Sequence, residues 1–261
     1  MKKTLMTLLA LSGAAMADGE LLWTLDFGTS ADATRGYKVT AAQGHTYNPT
    51  VNLGSSAINE NDVTTNTNTS VQIDGATGVK LADEFSCVVQ LTLPDVTIAG
   101  NFQSNWPIIF SLGESNGECA KVTIYRGLSN HLKVDRDGYT FSNETESQTS
   151  ATEGTHTLIL TMTGESGQVG TMRMYWDGVL AEQLTVDAAH RDASSVIDDL
   201  SLGGRLNGTQ HRMAASFDSI QMYSGVLSSG QIESLSLIPE PTTATLSLLA
   251  LAGLAARRRR K

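Results

Sequence analysis

An all-β antiparallel sandwich is the fold this sequence predicts, and three observations predict it. Between residues 18 and 237 the chain is a succession of runs, four to nine residues long, rich in Val, Ile, Thr, Tyr and Phe. Turn-forming pairs stand between the runs: Asp137-Gly138, Asp177-Gly178, Gly203-Gly204 and Asn207-Gly208. No helical periodicity of ten residues appears in this stretch apart from Ser228 to Leu237.

Taken in order, Leu21 to Phe27 reads as a first strand that stops at Gly28. Phe85 to Leu93 places Phe85, Cys87, Val89, Leu91 and Leu93 on one face. Ile108 to Leu112 is a short continuous apolar run of the buried kind. Lys121 to Arg126, His131 to Val134, Thr157 to Thr163, Thr171 to Trp176 and Leu180 to Val186 follow. Asp199 to Leu202 and Ser216 to Tyr223 complete the set. Thr64 to Ser70 and Ser142 to Gly154 read as polar, mobile loops. About 220 residues of this kind fit one large β domain, with no internal repeat and no second domain.

The ends carry different signals. Lys2 and Lys3, the apolar run Leu5 to Leu11, and Ala15-Met16-Ala17 are the three parts of a secretory signal peptide. Residues 1–17 are therefore expected to be removed by signal peptidase between Ala17 and Asp18. At the other end, Pro239-Glu240-Pro241 precedes fifteen uncharged residues, Thr242 to Ala256, and then Arg257-Arg258-Arg259-Arg260-Lys261. Fifteen residues fall short of the ~20 that span a bilayer comfortably, and terminal cations resist crossing. Residues 238–261 read as a short hydrophobic helix making a transient inner-membrane contact.

Those residues resemble the PEP-CTERM sorting signal. The resemblance implies recognition of Pro239, Glu240 and Pro241 by an exosortase-type membrane enzyme, and delivery of an exported protein to the cell surface or outer envelope.

Charge narrows the partners. The chain holds 18 Lys+Arg and 27 Asp+Glu, but residues 18–241 hold 11 and 27, a net charge of −16. Such a body repels phosphate backbones, which argues against nucleic acid. It also repels anionic glycans unless a cation intervenes.

Catalytic chemistry is not expected. His45, His131, His156, His190 and His211 never fall in H-x-H or H-E-x-x-H spacing, so zinc has no support. No Gly-x-Ser-x-Gly and no Gly-rich phosphate loop occurs. Cys87 lies on an apolar face, whereas Cys119 shares its phase with Lys121, Thr123 and Tyr125. The two are therefore not expected to form a disulfide. Asp198 and Asp199 are adjacent and would point to opposite faces of a strand. Trp106, in the polar run Gly100 to Pro107, is either a platform for a sugar ring or a cap on the core. Asp135-Arg136-Asp137-Gly138 is either a charged hairpin tip or a pair of carboxylates for Ca²⁺.

From Gly154 onward the motifs are more specific. Met174-Tyr175-Trp176-Asp177-Gly178 is followed by Leu200-Ser201-Leu202-Gly203-Gly204, then Phe217-Asp218-Ser219-Ile220-Gln221-Met222-Tyr223, and last Leu227-Ser228-Ser229-Gly230-Gln231-Ile232. This order resembles the laminin-G-like branch of the concanavalin A-like jelly rolls, with Trp176 and Gln231 as departures in detail. The resemblance implies a jelly roll over residues 18–237. It also implies a non-catalytic, lectin-like module whose partner is a carbohydrate or extracellular matrix polymer, with calcium as an optional cofactor held by Asp135 and Asp137. Trp106, Asp135, Asp137 and Tyr139 are the expected sugar contacts. A structural or adhesive surface protein is the alternative. A divergent glycosidase is disfavoured because the strand-borne E-x-D-x-E triad of catalytic relatives is absent.

Overall fold

The computed structural model describes residues 19–236 apart from 30, 32–34, 115–116, 128, 136–148, 189–190 and 192–195; the side chains of 114, 117–119 and 135 also lie outside the described set. The expected signal segment with Ala17 and Asp18, the tail with Pro239, Glu240 and Pro241, and Asp137 and Tyr139 all fall outside the described residues. In chain order the strands begin with β1 (Glu20–Phe27), β2 (Tyr37–Ala41), β3 (Thr50–Asn52), β4 (Ala57–Ile58), β5 (Val63–Thr65), β6 (Val71–Asp74) and β7 (Phe85–Leu93). They continue with β8 (Ile108–Glu114), β9 (Gly117–Tyr125), β10 (His131–Asp135), β11 (Gly154–Thr163), β12 (Gly170–Trp176) and β13 (Val179–Val186). β14 (Asp199–Leu202), β15 (Ala215–Ser224) and the helix α1 (Ser229–Ser236) close the series.

The strands form two antiparallel sheets. One has the order β13-β12-β11-β7-β15-β1-β2, with β5 paired to β15 and β4 to β5; the other has the order β10-β9-β8-β14-β6-β3. The facing sides share one core, to which Leu25, Phe85, Leu91 and Phe217 come from the first sheet and Ile73, Phe110, Val122 and Leu200 from the second. The predicted all-β sandwich is the fold observed. Alternation explains most of it: Phe85, Cys87, Val89, Leu91 and Leu93 are all buried. Cys87 is a free thiol in that core. The opposite side of β7 and β11 is covered too, because α1 lays Ile232 and Leu235 against Val88, Ile159 and Tyr223. Among the described residues no helix is long and apolar enough to cross a membrane.

Local chemistry sets the connections. Asp177 and Gly178 both have positive φ, 51° and 81°, which suits the two-residue turn between β12 and β13. Asp177 also accepts the Thr157 N–H at 2.9 Å, tying the turn to β11. Ser129 and Asn130 make a similar left-handed pair between β9 and β10.

The structure corrects the reading of Thr64 to Ser70 as a mobile polar loop. Val63–Thr65 is strand β5, and Thr65, Thr69 and Ser70 are buried. The Thr65 hydroxyl donates to the Met213 carbonyl at 2.8 Å. A polar side chain that bonds a neighbouring backbone can sit inside, which composition alone does not reveal.

Candidate functional site

Trp106 lies between the two alternatives the sequence offered, neither fully exposed nor fully buried. It is half-buried just before β8, and its indole lies on the ring of Tyr125 from β9, centroids 3.9 Å apart. The Lys133 ammonium on β10 stands 5.3 Å from the indole centroid. The loop is clamped on both sides. Asn105 and Pro107 carbonyls accept from Arg126 and Ile124, while Ser104 meets His211 Nδ1 at 3.1 Å. Asp135 ends β10 in register with Lys121 on the same sheet, but its side chain, like Asp137 and Tyr139, lies outside the described residues. The expected calcium pair therefore falls there as well. Among the described residues no three His, Cys, Asp or Glu side chains are grouped to hold a metal ion.

The outer face of the six-stranded sheet is polar and partly closed. Its cross-strand row runs Asn52, Gln72, Ser201, Ser111 and Lys121. Ser111 and Ser201 hydroxyls bond each other at 2.8 Å and are wholly buried. The chain's own turn after β14 covers them: Ser201 donates to the Gly204 carbonyl, Gln72 to the Arg205 carbonyl, and Asn207 to Asp199. Burial raises the Asp199 pKa above the ordinary carboxylate value, partly offset by Asn207. Leu206, nearly fully buried, sits in the same turn.

An open cleft of about 560 Å³ lies elsewhere, at the side of the sandwich where β2 and β3 are the edge strands of the two sheets. The segment joining β2 to β3 forms one wall and β2 the other. Its floor is Tyr47, 3 % exposed, whose ring stacks on the buried indole of Trp23 at 3.9 Å. Trp23 is itself anchored by donating Nε1–H to the Thr77 carbonyl at 2.9 Å. Burial pushes the Tyr47 hydroxyl pKa far up, so the floor is a neutral ring. Around it stand the half-buried Tyr37 and exposed Arg35, Lys38, His45 and Asn48. The arrangement offers an aromatic face, amide and cationic donors, and a fixed floor, the equipment of a shallow polar binding site.

Sequence reading missed this cleft because its residues come from an edge strand and a connecting segment. One signal was present: residues 33–59 contain no Asp or Glu, the longest such run between residues 18 and 241.

A smaller hollow of about 330 Å³ on the outer face of the nine-stranded sheet is lined by Asp26, Lys38, Asn61, Gln90 and Asp218. Burial, then the charge of Asp62, pushes the Asp218 pKa up to about 6. Burial also raises Asp26, against the opposing pull of Lys38.

No protein-family model matches the chain, and no curated protein matches it. Solved structures do. The botulinum neurotoxin serotype G binding domain superposes with a TM-score of 0.53 at 16 % identity, over 85 % of this chain and 52 % of that one. The receptor-binding domain of the botulinum neurotoxin C/D mosaic serotype gives 0.52 at 14 % identity, over 83 % and 51 %. A Trypanosoma rangeli sialidase in complex with the inhibitor DANA gives 0.51 at 13 % identity, over 73 % and 30 %. This chain thus spans about half the length of the neurotoxin domains and less of the sialidase. At such identity the likeness is one of fold: a β-sandwich shared with these proteins.

Proposed function

We propose that this protein is a non-catalytic carbohydrate-binding module of the concanavalin A-like, laminin-G-like type, with the cleft between β2 and the segment 45–49 as its sugar site. The observation that carries the reading is the cleft itself, where the Tyr37 ring, the Tyr47 floor and polar side chains converge at one open edge. Sugars present an apolar face for stacking and a ring of hydroxyls for hydrogen bonds, and this lining offers partners for both. The sandwich shared with neurotoxin receptor-binding domains supports a binding role, although fold alone does not fix function. The Trp106–Tyr125 ridge on the other sheet is a second surface for the same kind of polymer, and Asp135 and Asp137 are the carboxylates offered to calcium.

Export and sorting complete the proposal. α1 ends at Ser236 against the β12–β13 turn; a Cβ on Gly178 would meet the Ser236 Cβ at 3.2 Å. That turn and the cleft lie at opposite ends of the nine-stranded sheet, β13 and β2. A tail leaving beside β13 for the envelope would leave the cleft facing outward.

A glycan array probed with the purified full-length chain, with and without Ca²⁺, tests the reading. Retention of a defined glycan, weakened in Asn48→Ala with the thermal midpoint nearly unchanged, is the expected result. No retention of any glycan overturns it. Turnover of a bound polysaccharide would replace it with the glycosidase reading.

A further inference from the structure

We propose that the hollow on the outer face of the nine-stranded sheet receives the ammonium of an amino sugar, with Asp218 as the carboxylate that holds it. The inference rests on the carbohydrate reading and adds the ligand's chemical class.

The backbone of β15 supplies the geometry. Phe217 pairs with Leu91 of β7 and Ser219 with Gln90, which leaves Asp218 as the extra residue of a β-bulge. In a regular strand consecutive side chains take opposite faces. Here Phe217 and Ile220 both enter the core, while Asp218 and Ser219 both line the hollow of about 330 Å³. The bulge has turned outward a carboxylate that alternation with Ile220 would send inward.

That carboxylate is uncompensated. Among the described residues Asp218 accepts no hydrogen bond and meets no ion-pair partner, and burial and the charge of Asp62 both disfavour its ionised form. The neighbouring charges are otherwise engaged. Asp26 on β1 stands in cross-strand register with Lys38 on β2, which favours its ionised form. Asp62, between β4 and β5, accepts from the Asn59 amide and the Thr64 hydroxyl. Lys38 is the only cation lining the hollow among the described residues. Ala31 also lines it, and the sequence around Ala31, residues 28–34, contains Asp32 and no Lys or Arg.

An ammonium answers this setting better than a metal ion or a neutral hydroxyl. No third His, Cys, Asp or Glu joins the aspartates in a metal-holding group among the described residues, and a hard cation wants about six oxygens. A hydroxyl would leave the Asp218 charge unmatched. An ammonium matches it and brings three N–H donors. Ser219, whose hydroxyl donates to Gln90 at 3.1 Å, keeps its oxygen lone pairs for one of them. The net −16 of residues 18–241 draws a cationic polymer toward the whole body. The hollow lies across β2 from the cleft, so a saccharide chain passing over that edge strand would reach both.

Titration calorimetry on the full-length chain, at neutral pH and physiological salt, tests this with triglucosamine, its neutral N-acetylated form and trilysine. A charge-assisted bond to Asp218 predicts a preference of about tenfold or more for triglucosamine over the acetylated trimer. Asp218→Asn should remove that preference, whereas Glu153→Gln, which deletes an exposed acid outside the hollow, should keep it. Equal affinities for the two sugars, a preference that survives Asp218→Asn, or one lost equally in Glu153→Gln overturns the inference. Trilysine binding as tightly as triglucosamine also overturns it, since the hollow would then take any amine. If neither sugar binds while the array retains another glycan, this inference alone fails. If the array is blank as well, the carbohydrate reading fails with it.

Discussion

The indole of Trp106 lies parallel to the ring of Tyr125, with centroids 3.9 Å apart and planes 14° from coplanar. Gly127 lets the tyrosine sit there, since a Cβ on that residue would come within 2.9 Å of the ring. The stack joins the loop before β8 to the outer face of β9. Trp106 is thus partly structural, and its removal is expected to cost stability without collapse.

Trp106→Ala should lower the unfolding free energy by about 1.5–3 kcal/mol. A parallel aromatic pair contributes ~0.5–1.5 kcal/mol beyond its buried area. A fully buried tryptophan would cost ~3–5 kcal/mol instead. Urea denaturation of the full chain measures the difference; a loss of about 4 kcal/mol or more would place the indole in the core.

Arg191 gives a larger effect. It is 1 % exposed, and its guanidinium donates to the carbonyls of Ala82, Glu165, Gln168 and Gly164 at 2.5–3.0 Å. It thereby joins the β11–β12 connection to the turn before β7. Buried carbonyls stripped of a partner cost ~1–3 kcal/mol each, so Arg191→Met should lose about 3 kcal/mol or more. Gly170 packs on the same guanidinium; a Cβ there would stand 2.6 Å from Arg191 Nη1 and 2.5 Å from the Thr163 carbonyl. Gly170→Ala should therefore destabilise by ~1–3 kcal/mol, and by less in the Arg191→Met background. A double-mutant cycle by denaturation reads the coupling.

Asp218 predicts a pH dependence. Its folded-state pKa of about 6 lies above the ~3.9 of an unfolded aspartate. The folded protein therefore binds this proton more tightly, and stability falls as pH rises from ~4 to ~6, then levels off. Asp218→Asn should be more stable than the parent at pH ~7 and equal to it near pH ~4. Because solvent screens a half-exposed carboxylate, the gain should stay below about 1 kcal/mol. Thermal midpoints across that range check both sign and window; a variant that is less stable at neutral pH would count against it.

Cys87 should be inert until the protein opens. It is 1 % exposed, and burial pushes its thiol pKa well above the ordinary range. Since the thiolate is the reactive form, a maleimide reagent should label the Cys87 peptide only in denaturant. Mass mapping that finds it labelled under native conditions would show the β7 core to be accessible.

Much of the sandwich was legible in the sequence. Strands such as Phe85–Leu93 and Ala215–Ser224 announce themselves because one or both faces are buried and their side chains follow the two-residue period. Asp177-Gly178 marks its turn because few residue pairs tolerate two left-handed positions. The strands between Tyr37 and Asp74 were not legible. β2, β3 and β4 are short and lie at or near sheet edges, where exposed positions need no apolar pattern. Thr65 is buried by virtue of a hydroxyl bonded to Met213, 148 residues away. The acid-free run from residue 33 to 59 and the acidity of the rest were fixed in the amino-acid order, because composition needs no fold. That Tyr37 and Tyr47 face one cleft was decided only by tertiary structure: pairing of β2 with β1 and stacking of Tyr47 on Trp23 bring separate segments to a common edge. The same holds for Arg191, whose carbonyl partners come from two distant turns that only the packed sandwich brings within hydrogen-bonding reach.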